Sequence, residues 1–150
     1  MPLPKDLREF IESLNSHLVE YLIVGAHALA WYGVPRYTGD LDVLIRTSPE
    51  NAAKLVQVLI KFSFASLGLS AKDFLASDQI VQLGLPPNRI DLLTSITGVE
   101  FDEAWAGRVS GDLHGVPVNF IGKESFIKNK RATGRTRDKA DLEALGVEVN

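Results

Sequence analysis

Residues 24–45 read VGAHALAWYGVPRYTGDLDVLI. Tyr21–Val24 is a short apolar run that stops at Gly25, the pattern of a buried strand. Ala26–Tyr32 is rich in helix formers and stops at Gly33. Val34–Gly39, with its Pro, Arg, Thr and Gly, predicts a loop, and Asp40–Arg46 returns to strand. Side chains alternate faces along a strand. Asp40 and Asp42 therefore share one face, while Leu41, Val43 and Ile45 take the other and enter the core. The helix and loop between Gly25 and Asp40 are long enough to bring the chain back as a neighbouring strand.

Two carboxylates on one face repel, which raises a pKa unless a cation lies between them. A hard divalent ion such as Mg²⁺ removes that cost, since it takes one or two carboxylates together with substrate phosphates. Asp91, inside the apolar segment Arg89–Thr94, is the candidate third member. If that segment lies beside Asp40–Arg46, then Asp40, Asp42 and Asp91 form a metal cluster. Two Mg²⁺ ions are expected there, with Mn²⁺ as a substitute, and Asp91 is also the candidate general base. Gly25, at a strand-to-helix turn, would let backbone N–H groups approach a phosphate. His27 in the first helical turn, and Arg36 and Thr38 in the loop, could contact a nucleotide. Each has a plainer alternative. An Asp-x-Asp pair can cap a turn or face solvent, a glycine can serve packing, His27 can satisfy a local hydrogen bond, and Arg36 can make a surface salt bridge. Trp31 and Tyr32 are expected in the core, and His17 and His114 lack metal-ligand spacing.

Outward from this segment, Leu7, Phe10, Ile11, Leu14 and Leu18 recur at helical spacing over residues 4–19. Pro49 opens a helix that runs to about Phe62. Gln79–Leu85 and Arg89–Thr94 are expected strands joined by a turn at Pro86-Pro87-Asn88, while residues 63–78 are ambiguous. Phe101–Ala106 predicts a short helix, and Arg108–Leu113 and Val116–Ile121 a hairpin around His114-Gly115. Lys123–Ala132 and Thr136–Leu145 predict two helices broken near Gly134. Regular strand–helix alternation is missing. The expectation is an α/β fold of the α+β kind, one domain over residues 1–150, with a mixed central sheet flanked by helices.

At 150 residues and 45% hydrophobic, the chain can bury a sizeable core. The lack of cysteine excludes disulfides, thiol catalysis and cysteine metal sites. MPLPKDLREF has no signal-peptide core, and no apolar run approaches a membrane span, so a soluble cytoplasmic protein is expected. Lys123–Lys139 holds seven basic residues against two acidic ones, which leaves the rest of the chain at −8 within a net charge of −3. Such a local positive field suits a polyanionic ligand, with a solvated helical face as the plainer account.

Residues 24–45 resemble the signature of the nucleotidyltransferase superfamily related to DNA polymerase beta. That signature is a hydrophobic residue, Gly-Gly or Gly-Ser, a helix, then Asp-h-Asp-h, with a later strand aspartate. Gly25, Asp40, Asp42 and Asp91 fall on those positions. Arg36-Tyr-Thr-Gly-Asp-Leu-Asp looks like the small bacterial and archaeal members, including those akin to toxin–antitoxin nucleotidyltransferases. So does the later pattern Lys130-x4-Arg135-x2-Asp138-x2-Asp141-Leu142. The resemblance covers roughly residues 20–46, 89–94 and 123–145. It departs at Ala26, where the family carries Gly or Ser: no hydroxyl is offered to phosphate, though the backbone N–H remains.

The resemblance implies the nucleotidyltransferase fold and Mg²⁺-dependent transfer of a nucleoside monophosphate from a nucleoside triphosphate to an acceptor. Asp40 and Asp42 would hold metal, with Asp91 as third ligand or base, and Gly25 and Ala26 would line the triphosphate. Lys130 and Arg135 would neutralise phosphate, or instead tie the C-terminal helices to the body through Asp138 and Asp141. Implied acceptors are RNA, a protein or a small molecule. A partner chain or a homodimer would supply the grip that larger members draw from an extra helical domain. The alternatives are a non-catalytic nucleotide- or partner-binding module, such as one component of a toxin–antitoxin pair, and a small domain whose acidic pair is merely surface.

Overall fold

The computed structural model of the chain describes residues 3–36, 38–62, 68–84 and 88–149. Helix α1 (Lys5–Ser16) buries Leu7, Phe10, Ile11 and Leu14, the stripe its spacing predicts. Strand β1 (Tyr21–Val24) is buried along its whole length. Helix α2 (Gly25–Trp31) leads, after the loop, to β2 (Leu41–Ile45). Helix α3 (Pro49–Lys61) starts with Pro in its first turn and Ser48 as cap, the Ser48 hydroxyl accepting from the Asn51 amide at 3.2 Å. A short 3-10 turn at Ala71–Phe74 precedes β3 (Ile80–Leu83) and β4 (Ile90–Leu93). Then come α4 (Phe101–Ala106), the hairpin of β5 (Val109–Leu113) and β6 (Val116–Phe120), α5 (Lys123–Thr133) and α6 (Thr136–Ala144).

The six strands form one mixed sheet in the order β3-β4-β2-β1-β6-β5. Both outer pairs are antiparallel hairpins, while β2 runs parallel to β4 and β1 parallel to β6. At the centre, β1 and β2 are antiparallel, with Val24 opposite Asp42. Val24 and Asp42 thus share a face, and Tyr21 and Ile23 look the other way. That other face belongs to α1, because the Tyr21 hydroxyl donates to Asn15 at 2.8 Å. Helix α1 packs on α3, with Phe10 edge-on to Phe62 at 5.7 Å between ring centroids. The carboxylate face of the sheet is therefore the one away from α1.

The mixed sheet with flanking helices matches the expected fold class. Two local expectations are revised. Strand β3 is shorter than Gln79–Leu85, and its expected turn at 86–88 falls mostly outside the described residues. Trp31 is not a core residue: it is 42% exposed and lies flat on Phe120 at 4.6 Å. Gly111 makes that stack possible, since a Cβ there would meet the indole at 2.8 Å. No helix among the described residues is long and apolar enough to cross a membrane.

One buried side chain pins β1, β2 and α3 together. The Asn51 carbonyl accepts from the Glu20 amide at 2.7 Å, and its amide donates to Glu20 and Arg46 carbonyls at 3.0 and 2.9 Å. Its loss would leave the Glu20 amide and the Arg46 carbonyl without these partners, while the Glu20 carbonyl keeps its bond from the Arg46 amide at 3.2 Å. Each part-buried group left unsatisfied costs about 1–3 kcal/mol, less where water can enter. Asn51→Ala is expected to lower unfolding free energy by roughly 2–4 kcal/mol on that basis. Urea titration with an unchanged m-value would check it.

Candidate active site

Strand register puts the acidic residues together. Val24, Asp42 and Asp91 lie opposite one another across β1, β2 and β4. The adjacency of the Asp91 strand and the Asp42 strand is as the sequence led one to expect. Gly25 follows immediately, with φ +69°. A Cβ at that position would overlap the Asp42 carboxyl group, whose Cγ lies 2.9 Å away. The glycine is thus required twice, for a left-handed backbone and for room to seat Asp42 against the start of α2.

Burial pushes the Asp42 pKa up to about 6, and the neighbouring charges of Asp91 and Asp40 push in the same direction. Asp91 is buried and Asp40 is half-exposed. The loop before Asp40 is held locally: the Thr38 hydroxyl accepts from the Asp40 amide at 3.0 Å.

Arg89 was not singled out from sequence, yet it sits inside this cluster. Its Nε donates to Asp91 Oδ1 at 2.9 Å, and its Nη2 reaches Asp91 Oδ2 at 3.3 Å and Asp40 Oδ2 at 3.1 Å. The available signal was parity, since residues 89 and 91 of one extended segment share a face. With the guanidinium spanning Asp40 and Asp91, no three acidic or histidine side chains among the described residues converge as a ready ion cage. The donor set nevertheless fits a hard divalent ion: Asp42 on β2, Asp91 on the adjacent β4, and Asp40 immediately before β2, with Asp42 short of countercharge.

These residues line a cleft of about 930 Å³. Gly25, Ala26, Arg36, Thr38, Lys130 and Arg135 line it as well, so most of the expected nucleotide contacts are brought together. His27 is not among the lining residues; it is half-buried, and its pKa is lowered by burial and by the nearby His114. At about 100° per residue, the helix that turns Gly25 and Leu29 to the cleft turns His27 away. Ile80, Leu93 and Ile96 add apolar surface to the lining. Arg137, from the same basic segment, also lines the cleft and has no acidic partner among the described residues.

Lys130 and Arg135 are already matched in charge. Lys130 Nζ lies 2.8 Å from Asp141 and 3.5 Å from Asp138, and Arg135 Nε donates to Asp138 at 2.7 Å. Arg36 crosses from the loop to pair with Asp141. Burial alone would raise the Asp138 pKa, but hydrogen bonds from Arg135 and Thr133 hold it below the usual carboxylate range. The pairs made by Lys130 join α5 to α6, Arg135 pairs at the start of α6, and Arg36 carries the network on to the loop before β2. Two of the remaining five basic residues of the segment are likewise engaged, Lys128 by Glu103 and Arg131 by the Glu148 carbonyl.

No protein-family model and no curated protein sequence matches the chain. Solved structures do. An inferred nucleotidyltransferase from Thermotoga maritima aligns over 96% of this chain and 94% of its own, with TM-score 0.63 and 17% identity. An antigenic nucleotidyltransferase-like protein from Paracoccidioides brasiliensis aligns over 97% and 76%, with TM-score 0.52 and 18% identity. The chain has the nucleotidyltransferase fold.

A carboxyl whose pKa is raised on folding favours the folded state below its unfolded value, near 3.8, and loses that contribution as pH rises through about 6. Asp42→Asn removes the charge without changing shape. Without divalent ions it is expected to raise stability at pH 8 by about 1–2 kcal/mol, and to make little difference near pH 4. Paired denaturant titrations at the two pH values measure that difference.

Proposed function

We propose that this chain is a Mg²⁺-dependent nucleotidyltransferase, moving a nucleoside monophosphate from a nucleoside triphosphate to an acceptor hydroxyl. The observation that carries the proposal is the in-register Asp42 and Asp91, beside Asp40 and the Gly25 turn, in a cleft of a nucleotidyltransferase fold. Asp40, Asp42 and Asp91 would hold the metal, which supplies countercharge to the phosphates and to the leaving pyrophosphate. The acceptor oxygen forms a bond to the α-phosphorus as the bond to pyrophosphate breaks. Its proton passes to the Asp42–Asp91 carboxylates, with Asp91 as the general base. Backbone N–H groups at Gly25 and Ala26 face the triphosphate, and Arg137 extends the positive end of the cleft. Ile80, Leu93 and Ile96 offer an apolar surface to a base or to the acceptor. RNA, a protein hydroxyl and a small molecule all remain suitable acceptors, and a partner chain or second copy would complete their grip. The cytoplasm, with its nucleoside triphosphates, is the compartment this activity needs.

A second reading draws on two observations. Ala26 withholds a hydroxyl from the phosphate turn, and Arg89 already lies across Asp40 and Asp91. Both suit a non-catalytic nucleotide- or partner-binding module, as in one half of a toxin–antitoxin pair.

Labelled triphosphates with Mg²⁺ and a panel of RNA, protein and small-molecule acceptors separate the two. Transfer with pyrophosphate release, lowered at least 10³-fold by Asp42→Asn, is expected of the enzyme on the scale of lost electrostatic stabilisation. Nucleotide binding by calorimetry without turnover on any acceptor would favour the module, and full activity in the mutant would remove the metal assignment.

A further inference from the structure

The guanidinium of Arg89 occupies three of the six carboxylate oxygens of the acidic cluster. It takes both carboxylate oxygens of Asp91 and one of Asp40. A divalent ion seated on those carboxylates would lie beside the guanidinium, and the two cations would repel one another while competing for the same negative charge. Of the other basic groups lining the cleft, Lys130 and Arg36 pair with Asp141 and Arg135 with Asp138, while Arg137 has no acidic partner among the described residues and lies on a different element from the acidic cluster. Arg89 is half-buried on the wall of the cleft, its side chain 28% exposed.

Resting on the metal assignment proposed above, we propose that Arg89 is an internal competitor for the cation site. It and a divalent ion claim the same oxygens of Asp40 and Asp91, so ion binding releases the guanidinium into the cleft. There its planar fork of donors takes a phosphate of the nucleotide, an acceptor geometry that guanidinium matches closely. Metal and triphosphate binding become coupled through one side chain. Without nucleotide the ion must displace Arg89 and gains nothing from its release; with nucleotide the released charge finds a new partner. The apparent ion affinity is lowered by the fraction of molecules in which Arg89 holds the site.

Mn²⁺ binding, followed by paramagnetic resonance and calorimetry without nucleotide, tests this in wild type, Arg89→Gln and Asp42→Asn. Arg89→Gln is expected to bind Mn²⁺ at least tenfold more tightly than wild type. With Mn²⁺ saturating, it should bind a non-hydrolysable triphosphate several-fold more weakly. Equal or weaker Mn²⁺ binding in Arg89→Gln, where wild type binds and Asp42→Asn does not, overturns the competition and leaves the proposed function standing. Failure of both wild type and Arg89→Gln to bind Mn²⁺ overturns the competition together with the metal assignment. Should Arg89→Gln not fold, the wild-type Arg89 Nε–H proton resonance gives the answer. It should be protected from exchange by Asp91 and lose that protection when Mg²⁺ is added; persistence at saturating Mg²⁺ overturns the proposal.

Discussion

Like charges held face to face across β2 and β4 are the constraint around which this molecule is arranged. Asp42 and Asp91 are opposite one another on parallel strands, and the flanking residues Leu41, Val43, Ile90 and Leu92 are buried. Neither strand can slip by one residue to relieve the repulsion, because a slip would turn every core side chain to the wrong face. The hydrophobic core thus fixes an electrostatic cost in place. The surrounding residues read as answers to it. Gly25 makes room for one carboxyl group, Arg89 offers charge to the other and to Asp40, and Thr38 shapes the loop that delivers Asp40.

A second polar network lies across the cleft and obeys a different logic. Asp138 and Asp141 are almost fully buried, and each is surrounded by donors from Lys130, Arg135, Arg36 or Thr133. Desolvating these charges is expensive, and the hydrogen bonds restore what burial removes. The first cluster has one cation for three carboxylates, whereas the second has three cations for two. That contrast argues for ligand chemistry at the first and for architecture at the second.

Much of this was readable in the chain. Apolar alternation placed β2 and β4, and glycine with proline punctuated α2 and α3 close to their observed limits. Helical and strand periods depend on local sequence, so they survive without a structure. Partner choice does not. Arg89 could be seen to share a face with Asp91, but its contact with Asp40 depends on which strands are neighbours, across 49 positions of sequence. For Lys130 and Arg135 the sequence left phosphate and the aspartates Asp138 and Asp141 both open as partners, and the fold pairs them with the aspartates. Trp31 misled because a large aromatic at helical spacing suggests core, and only the bare backbone of Gly111 shows why it rests at the surface. The placement of His27 turned on helical phase, which residue type alone does not reveal.

The pairing of Arg36 with Asp141 joins positions 105 apart in the chain. It makes the loop that carries Asp40 and the last helix a single mutational unit. Because Arg36 and Lys130 share Asp141, replacing one member changes the charge balance left to the others, and the effects of replacing several together depart from the sum. Substitutions in the loop are therefore tolerated only in particular combinations with those in α6. A lineage drifting at one end of the chain carries its history at the other.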